Sequence, residues 1–318
     1  MAKKQRKTIP ERVPTKHQLS KWQRQMRIRR IVIIAAVVFL AGIVSWAGYG
    51  YYKDSIAPYR EVVIKVNDTS FTMDYYVNML DAYTIGMNST SIYLYGDYIA
   101  NMVADEIINA ELMRQGAKNL DIEVTTEEID AKLEEYELPN ERVYRDIIIS
   151  DLLPGKLEEY FGSQLPDTME QAHVYVMLVE NQEVATELIS EIEAGGNFTA
   201  LAKEFSCNSS IEGDLGWLPE ELMPNTLIAD AAFNLARGEI SQPIYDETAI
   251  QNTGTTGGYW LVKVVDRDER ELEEKTKEKL IDKRFDDWLE ELKNNSTIEN
   301  RLDKEKRAWA VNIILEGR

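Results

Sequence analysis

A single cysteine, Cys207, leaves this chain of 318 residues unable to form an intrachain disulfide, so the fold must rest on packing whichever compartment holds it. No glycine-rich loop of the kind that cradles phosphate occurs, and no internal repeat is found, which removes the usual signatures of nucleotide-driven chemistry and of solenoids. Residues 31–50 carry no charge at all. The remaining composition is that of a globular chain. Its 44% hydrophobic and 29% charged residues exclude a collagen-like, low-complexity or wholly disordered sequence and are enough for two modest domains with additions.

The formal net charge of −19 argues against nucleic acid as a partner, but it averages over two opposite regions. Residues 1–30 hold eleven Lys or Arg against one acid, Glu11, for a net of +10, whereas residues 51–318 hold 25 basic and 54 acidic residues, a net of −29. The 20-residue run between them, IVIIAAVVFLAGIVSWAGYG, matches the roughly 20 residues a helix needs to cross a bilayer core. Basic residues crowd its N-terminal side, and Trp46, Tyr49, Tyr51 and Tyr52 stand at the other end as an interfacial belt. The expected topology is a cytoplasmic leader (1–30), one transmembrane helix (31–52) in contact with the lipid bilayer, and everything beyond it extracytoplasmic. A cleaved signal peptide is the alternative, against which stand the long basic leader and the lack of a small-x-small cleavage site. The leader itself reads as a topology signal and a contact for anionic lipid rather than for nucleic acid.

Beyond the span, EVVIKVNDTSFT (61–72) predicts two short strands about a turn at Asn67-Asp68. Helical spacing then predicts helices from 73 onward, over 93–117, over 121–136 with a capped start at Thr125-Thr126-Glu127-Glu128, and over 140–160. The breaker Gln164-Leu165-Pro166-Asp167 closes a helical module at about residue 168. From there the pattern turns mixed: a strand at 173–179, helices at 181–193, 198–205 and 229–235, a glycine-rich turn, and a closing strand at 259–265. A charged helix over 270–294 carries Leu280, Phe285, Trp288 and Leu292, and a further helix is expected within 302–315.

An ordered series of motifs lies in this mixed region: Ala172-His173-Val174, FTALAKEFS (198–206), GDLGW (213–217), AAFNL (231–235), GEIS (238–241) and GYWLVKV (258–264). In that order the series resembles the parvulin family of peptidyl-prolyl cis-trans isomerases. With a helical module before it and a helix after it, the layout is similar to the extracytoplasmic SurA/PrsA-type foldases. The resemblance implies an α+β chain. Its parts would be the leader and span, a helical chaperone-like module (53–168), a parvulin-like domain of small mixed sheet wrapped by helices (169–268), and a C-terminal helical segment (269–318) packing on the module. It implies a membrane-anchored isomerase and foldase acting on unfolded or proline-containing secreted polypeptides, with no cofactor and no metal. The alternative is a catalytically weak or inactive parvulin-fold chaperone.

Rotation about a prolyl bond breaks no covalent bond; its barrier of about 18–20 kcal/mol is amide resonance, which a dry pocket and groups fitted to the twisted amide can lower. The resemblance places His173, Asn208 and Trp260 at the catalytic positions. Asn208 stands where the family has Asp or Cys, and Trp260 where it has a second histidine. The same resemblance places Leu215, Met223, Phe233 and either Leu227 or Ile228 around the proline ring, with ordinary core packing as the alternative for these apolar residues. Asn208 and Trp260 thus predict a proline-recognising groove better than they predict full catalytic power.

Overall fold

The computed structural model describes residues 16–211 and 213–318; residues 1–15 of the basic leader, and Glu212, lie outside the described residues. In chain order the elements are α1 (Lys16–Tyr51), a π-helical turn (Tyr52–Ile56), α2 (Ala57–Arg60), β1 (Val62–Val66), β2 (Thr69–Thr72), α3 (Met73–Tyr83), α4 (Ser89–Asn119), α5 (Thr126–Glu135) and α6 (Arg142–Ser163). There follow β3 (Thr168–Val179), α7 (Gln182–Glu193), α8 (Phe198–Phe205), β4 (Gly213–Pro219), a 3-10 turn (Glu220–Leu222), α9 (Thr226–Asn234), β5 (Ile244–Ile250), β6 (Thr256–Glu271), α10 (Glu274–Asn294), β7 (Ile298–Asn300) and α11 (Lys304–Glu316). The architecture is α+β. Backbone contacts divide it into two units, one made of the stretch ending at Lys65 with Ser70–Ala104 and Glu299–Arg318, the other of Val66–Thr69 and Asp105–Ile298. The division cuts within α4, so the units do not coincide with segments 53–168, 169–268 and 269–318.

In the first unit, Arg24–Tyr51 of α1 is long and apolar enough to cross a membrane, and the described residues do not bury its apolar part. Strand β1 pairs with β2 on one edge and β7 on the other; β7, three residues long, had no counterpart in the sequence patterning. Thr72 caps α3 by accepting from the Tyr75 amide. Helix α11 lies against α4, where a Cβ at Gly96 would come within 2.7 Å of Val311 Cγ1.

In the second unit the antiparallel sheet runs β4-β3-β6-β5. Successive strand residues point to opposite faces, and β3 is apolar on both over much of its length. Ala172, Val174, Val176 and Leu178 join Trp260, Val262 and Val264 of β6 in a core covered by Ile228, Ala229 and Ala232 of α9. Met177 and Val179 join Leu261 in a second core, covered by α7 and by Phe198, Leu201 and Ala202 of α8. Side-chain caps start the short helices: Asn181, Asn197 and Asn225 accept from the amides of Val184, Ala200 and Ile228 at 3.0, 3.0 and 2.8 Å. Thr125 and Glu128 form the capping box expected for α5. Helix α10 lays Phe285, Trp288 and Leu289 against Met113 and Ala117 of α4 and Leu153 and Leu157 of α6.

Three expectations are corrected. The glycine-rich turn is mostly strand β4, because Gly213 and Gly216 take φ of +79° and +71° and let the chain bulge without leaving the sheet. The stretch between the helix predicted at 229–235 and the closing strand, for which the patterning predicts no strand, contains β5, paired with β6 as Ile244 opposite Trp260 and Tyr245 opposite Tyr259. The closing strand continues to Glu271, since Thr168–Ala172 pairs alongside it, so α10 begins at Glu274 rather than at 270.

Candidate functional site

The α9-covered face of the sheet gathers most of the expected pocket residues. Met223 is 7% exposed, Ile228 0% and Trp260 2%, and all three belong to that core. Leu215 reaches it through a bulge: β4 carries one extra residue between the pairs Val174–Gly216 and Tyr175–Asp214, and Leu215 is that residue. Phe233 is half-buried against the same core. Of the two alternatives on α9, Ile228 joins the core and Leu227, half-buried, does not. The residues that β3 and β6 bury in this core are apolar apart from the indole N–H of Trp260, while at its rim Arg267 of β6, opposite Ala172, donates to the Phe233 carbonyl.

That N–H is already engaged. Trp260 Nε1 donates to Asp246 Oδ2 at 2.9 Å, while Asp246 Oδ1 accepts from the Thr248 amide and hydroxyl and from the Ala249 amide at 2.9, 2.7 and 3.2 Å. Burial pushes the Asp246 carboxyl up, but these hydrogen bonds outweigh it and hold the group below the ordinary aspartate range. Position 260 is thus a hydrogen-bonded core position joining β6 to β5. Asp246 carried no sequence signal.

Asn208 organises a loop. Its Oδ1 accepts from the amides of Ser210 and Ile211 at 3.0 and 3.2 Å, and its Nδ2 donates to the Ile250 carbonyl at 2.9 Å. Beside it, the Ser209 amide and hydroxyl both donate to Asn252 Oδ1, tying the loop to the β5–β6 hairpin. Burial raises the Cys207 thiol, which suits a small packed group better than a nucleophile. A cavity of about 390 Å³ opens nearby, lined among others by Glu180, Asn181, Glu204, Phe205, Cys207 and Asn252; it includes none of the residues expected at the site.

His173 does not join Met223, Ile228 and Trp260, which corrects its expected place. Position 173 shares a strand face with Tyr175, against whose ring its own lies edge-on at 5.6 Å, and Tyr175 packs with the α7–α8 core. The imidazole also lies 5.7 Å from the Trp217 ring, and its Nε2 is 2.6 Å from Asp214 Oδ1, an oxygen that accepts from the Gly216 amide as well. Asp214 stood in the GDLGW run but was not singled out. Its role here is to fix the β4 bulge and the imidazole together.

A four-stranded antiparallel sheet with helices on both faces and an apolar core running from Leu215 and Met223 to Phe233 defines the parvulin class. The comparisons agree with it in sequence. Residues 178–266 match the PPIC-type PPIase domain, a span that begins after His173, and residues 19–141 match the SurA-like N-terminal domain. The foldase protein PrsA of Caldanaerobacter subterraneus subsp. tengcongensis is 25% identical over 260 residues, covering 72% of this chain and 83% of that protein. The foldase protein PrsA of Geobacillus kaustophilus is 24% identical over 308 residues, covering 87% and 92%. Among solved structures, that of the peptidylprolyl isomerase PrsA from Bacillus cereus is 17% identical with a TM-score of 0.34, covering 81% of this chain and 92% of that one. The chain thus carries a parvulin-type (PPIC-type) peptidyl-prolyl cis-trans isomerase domain together with a SurA-like N-terminal domain.

Proposed function

We propose that this chain is an extracytoplasmic foldase, anchored by residues 31–52 with its N-terminus in the cytoplasm, that binds proline-containing segments of unfolded secreted polypeptides and isomerises them slowly. The observation that carries the slow rate is the apolar α9-covered core, where the indole N–H of Trp260 is taken up by Asp246 and the guanidinium of Arg267, at the rim, by the Phe233 carbonyl. An apolar pocket weakens the dipolar resonance of the amide, but without groups oriented toward the twisted state it lowers the barrier less than a polar constellation does. Asn208, Met223 and the Leu215–Phe233 neighbourhood remain the proposed substrate contacts, and His173 is left out of them. The helical part of residues 53–168 would hold clients. Support for a joined C-terminal segment is that α10 packs on α6 and α11 on α3.

Exchange spectroscopy on an apolar-Pro peptide, with the full chain in lipid nanodiscs, tests the rate without an auxiliary protease. Catalysed exchange is expected, reduced by Met223→Ala, retained by Met223→Leu, and unchanged by His173→Ala because that ring lies on the other face. Exchange no faster than the thermal rate would place the chain in the alternative class, a parvulin-fold chaperone without turnover. A drop with His173→Ala as large as with Met223→Ala would return the histidine to the site.

The topology has its own check. Protease added to intact spheroplasts should digest the region after residue 52, since basic residues retained in the cytoplasm orient a span this way; a fully protected ectodomain contradicts the anchor.

A further inference from the structure

The N-terminal half of α4 carries an apolar stripe that nothing among the described residues of its unit covers. Leu94, Tyr95, Tyr98 and Met102 are 66%, 59%, 72% and 39% exposed, and at 3.6 residues per turn they fall within about 100° of arc. The opposite face, with Ile92, Ile99, Ala100 and Val103, is buried. Tyr93, in the first turn of the helix, is 78% exposed as well. Tyrosine with leucine and methionine is the composition of an interfacial belt, where a ring sits at headgroup level with its hydroxyl in water.

Two further observations select the occupant. The stripe belongs to the unit that contains α1, and only residues 52–61, mostly helical, separate α1 from β1; at 1.5 Å per residue that is about 15 Å. Charge is also divided between the units. Beyond residue 50 the α1 unit carries 8 basic and 9 acidic residues, a net of −1, whereas the other unit carries 17 basic and 45 acidic, a net of −28. A surface of anionic lipid repels the second and not the first. We infer that the Leu94–Tyr95–Tyr98–Met102 face of α4 rests in the headgroup layer of the bilayer that α1 crosses, a second, monotopic contact that docks the near-neutral unit on the membrane. This rests on the anchored topology proposed above.

Spin labels read both propositions in the full chain, reconstituted in phosphatidylcholine–phosphatidylglycerol vesicles with Cys207→Ser removing the native thiol. Labels are placed one at a time through Val38→Cys in the span, Leu94→Cys and Tyr98→Cys on the stripe, and Tyr136→Cys, an exposed tyrosine of the acidic unit, as an aqueous reference. Relaxation by oxygen relative to a water-soluble nickel chelate is expected to be high at 38, raised at 94 and 98, and low at 136. A lipid-like label at 38 with labels at 94 and 98 no different from 136 overturns the docking and leaves the anchor standing. A water-like label at 38 overturns the anchor and the docking with it. Dipolar broadening between stripe labels that grows with protein density would assign the face to a second copy. Protection of those labels only on adding an unfolded polypeptide would assign it to clients. Either result also overturns the bilayer contact.

Discussion

Trp260→Ala is expected to remove a large share of the isomerase domain's stability rather than merely slow its turnover. The side chain is 2% exposed and stands between β5 and β3 in register, opposite Ile244 on one side and Leu178 on the other. Emptying such a position costs about 3–5 kcal/mol, against a total stability of about 5–15 kcal/mol for a typical domain. The loss also strips Asp246, itself buried, of one of its donors. Urea unfolding of the full chain should show the midpoint of the second unit falling steeply, and Trp260→Phe, which keeps most of the ring and loses the N–H, should fall between. The pair also sets an acid limb. Asp246 is held below the ordinary aspartate range in the folded state, so its contribution is fully present above about pH 4, the unfolded value, and is lost as pH falls through the folded value. Trp260→Phe should flatten that part of the pH–stability curve. A midpoint unmoved by Trp260→Ala would mean that position 260 is not the core position described here.

The motif series was legible because each motif is local. FTALAKEFS, AAFNL and the capped start at Thr125 announce helices through spacing and capping residues that act within a turn or two, and α8, α9 and α5 follow them. Strand β5 was not legible. Its sequence, IYDETAI, is half polar, and it is held by pairing with β6 and by the contact from Asp246 to Trp260, both of which depend on partners 6–16 residues away. The same holds for DRDERE (266–271), whose charge reads as helix or loop. It is strand because residues 168–173 lie beside it.

His173 shows a different limit. The first strand and its histidine were read correctly as neighbours in sequence, but a strand alternates faces, so a shift of one position moves a side chain to the other side of the sheet. Residue parity then decides the chemistry: 172, 174, 176 and 178 face Met223 and Trp260, while 173 and 175 face the α7–α8 side. The bulge that delivers Leu215 depends on one extra residue in β4, which pattern reading sees only as a glycine-rich turn.

Gly116→Val is expected to loosen α10 from its seat. A Cβ built at Gly116 would lie 2.4 Å from Leu292 Cδ1 and 2.5 Å from Trp288 Cζ2. The leucine methyl can swing aside. The indole cannot easily do so, because it is stacked edge-wise on Phe161 at 5.8 Å and tilted against Phe285 at 6.0 Å. A branched side chain at 116 must therefore push the whole helix away, an overpacking that costs about 1–3 kcal/mol. Even alanine, favoured over glycine in a helix interior by about 1 kcal/mol, should gain nothing here. The disturbance has a second end: Arg284, one turn before Trp288, holds Glu221 through two hydrogen bonds of 2.9 and 2.7 Å. Displacing α10 should weaken that pair and expose the 3-10 turn just before Met223. Hydrogen exchange on the full chain is the measurement. Amides of 274–294 should lose protection with Gly116→Val, those of 220–223 should lose some, and β3 should be unchanged. Pairing the variant with Trp288→Leu, which removes the rigid ring, should restore much of the protection. Unaltered exchange in α10 would show that the seat at Gly116 has room the geometry denies.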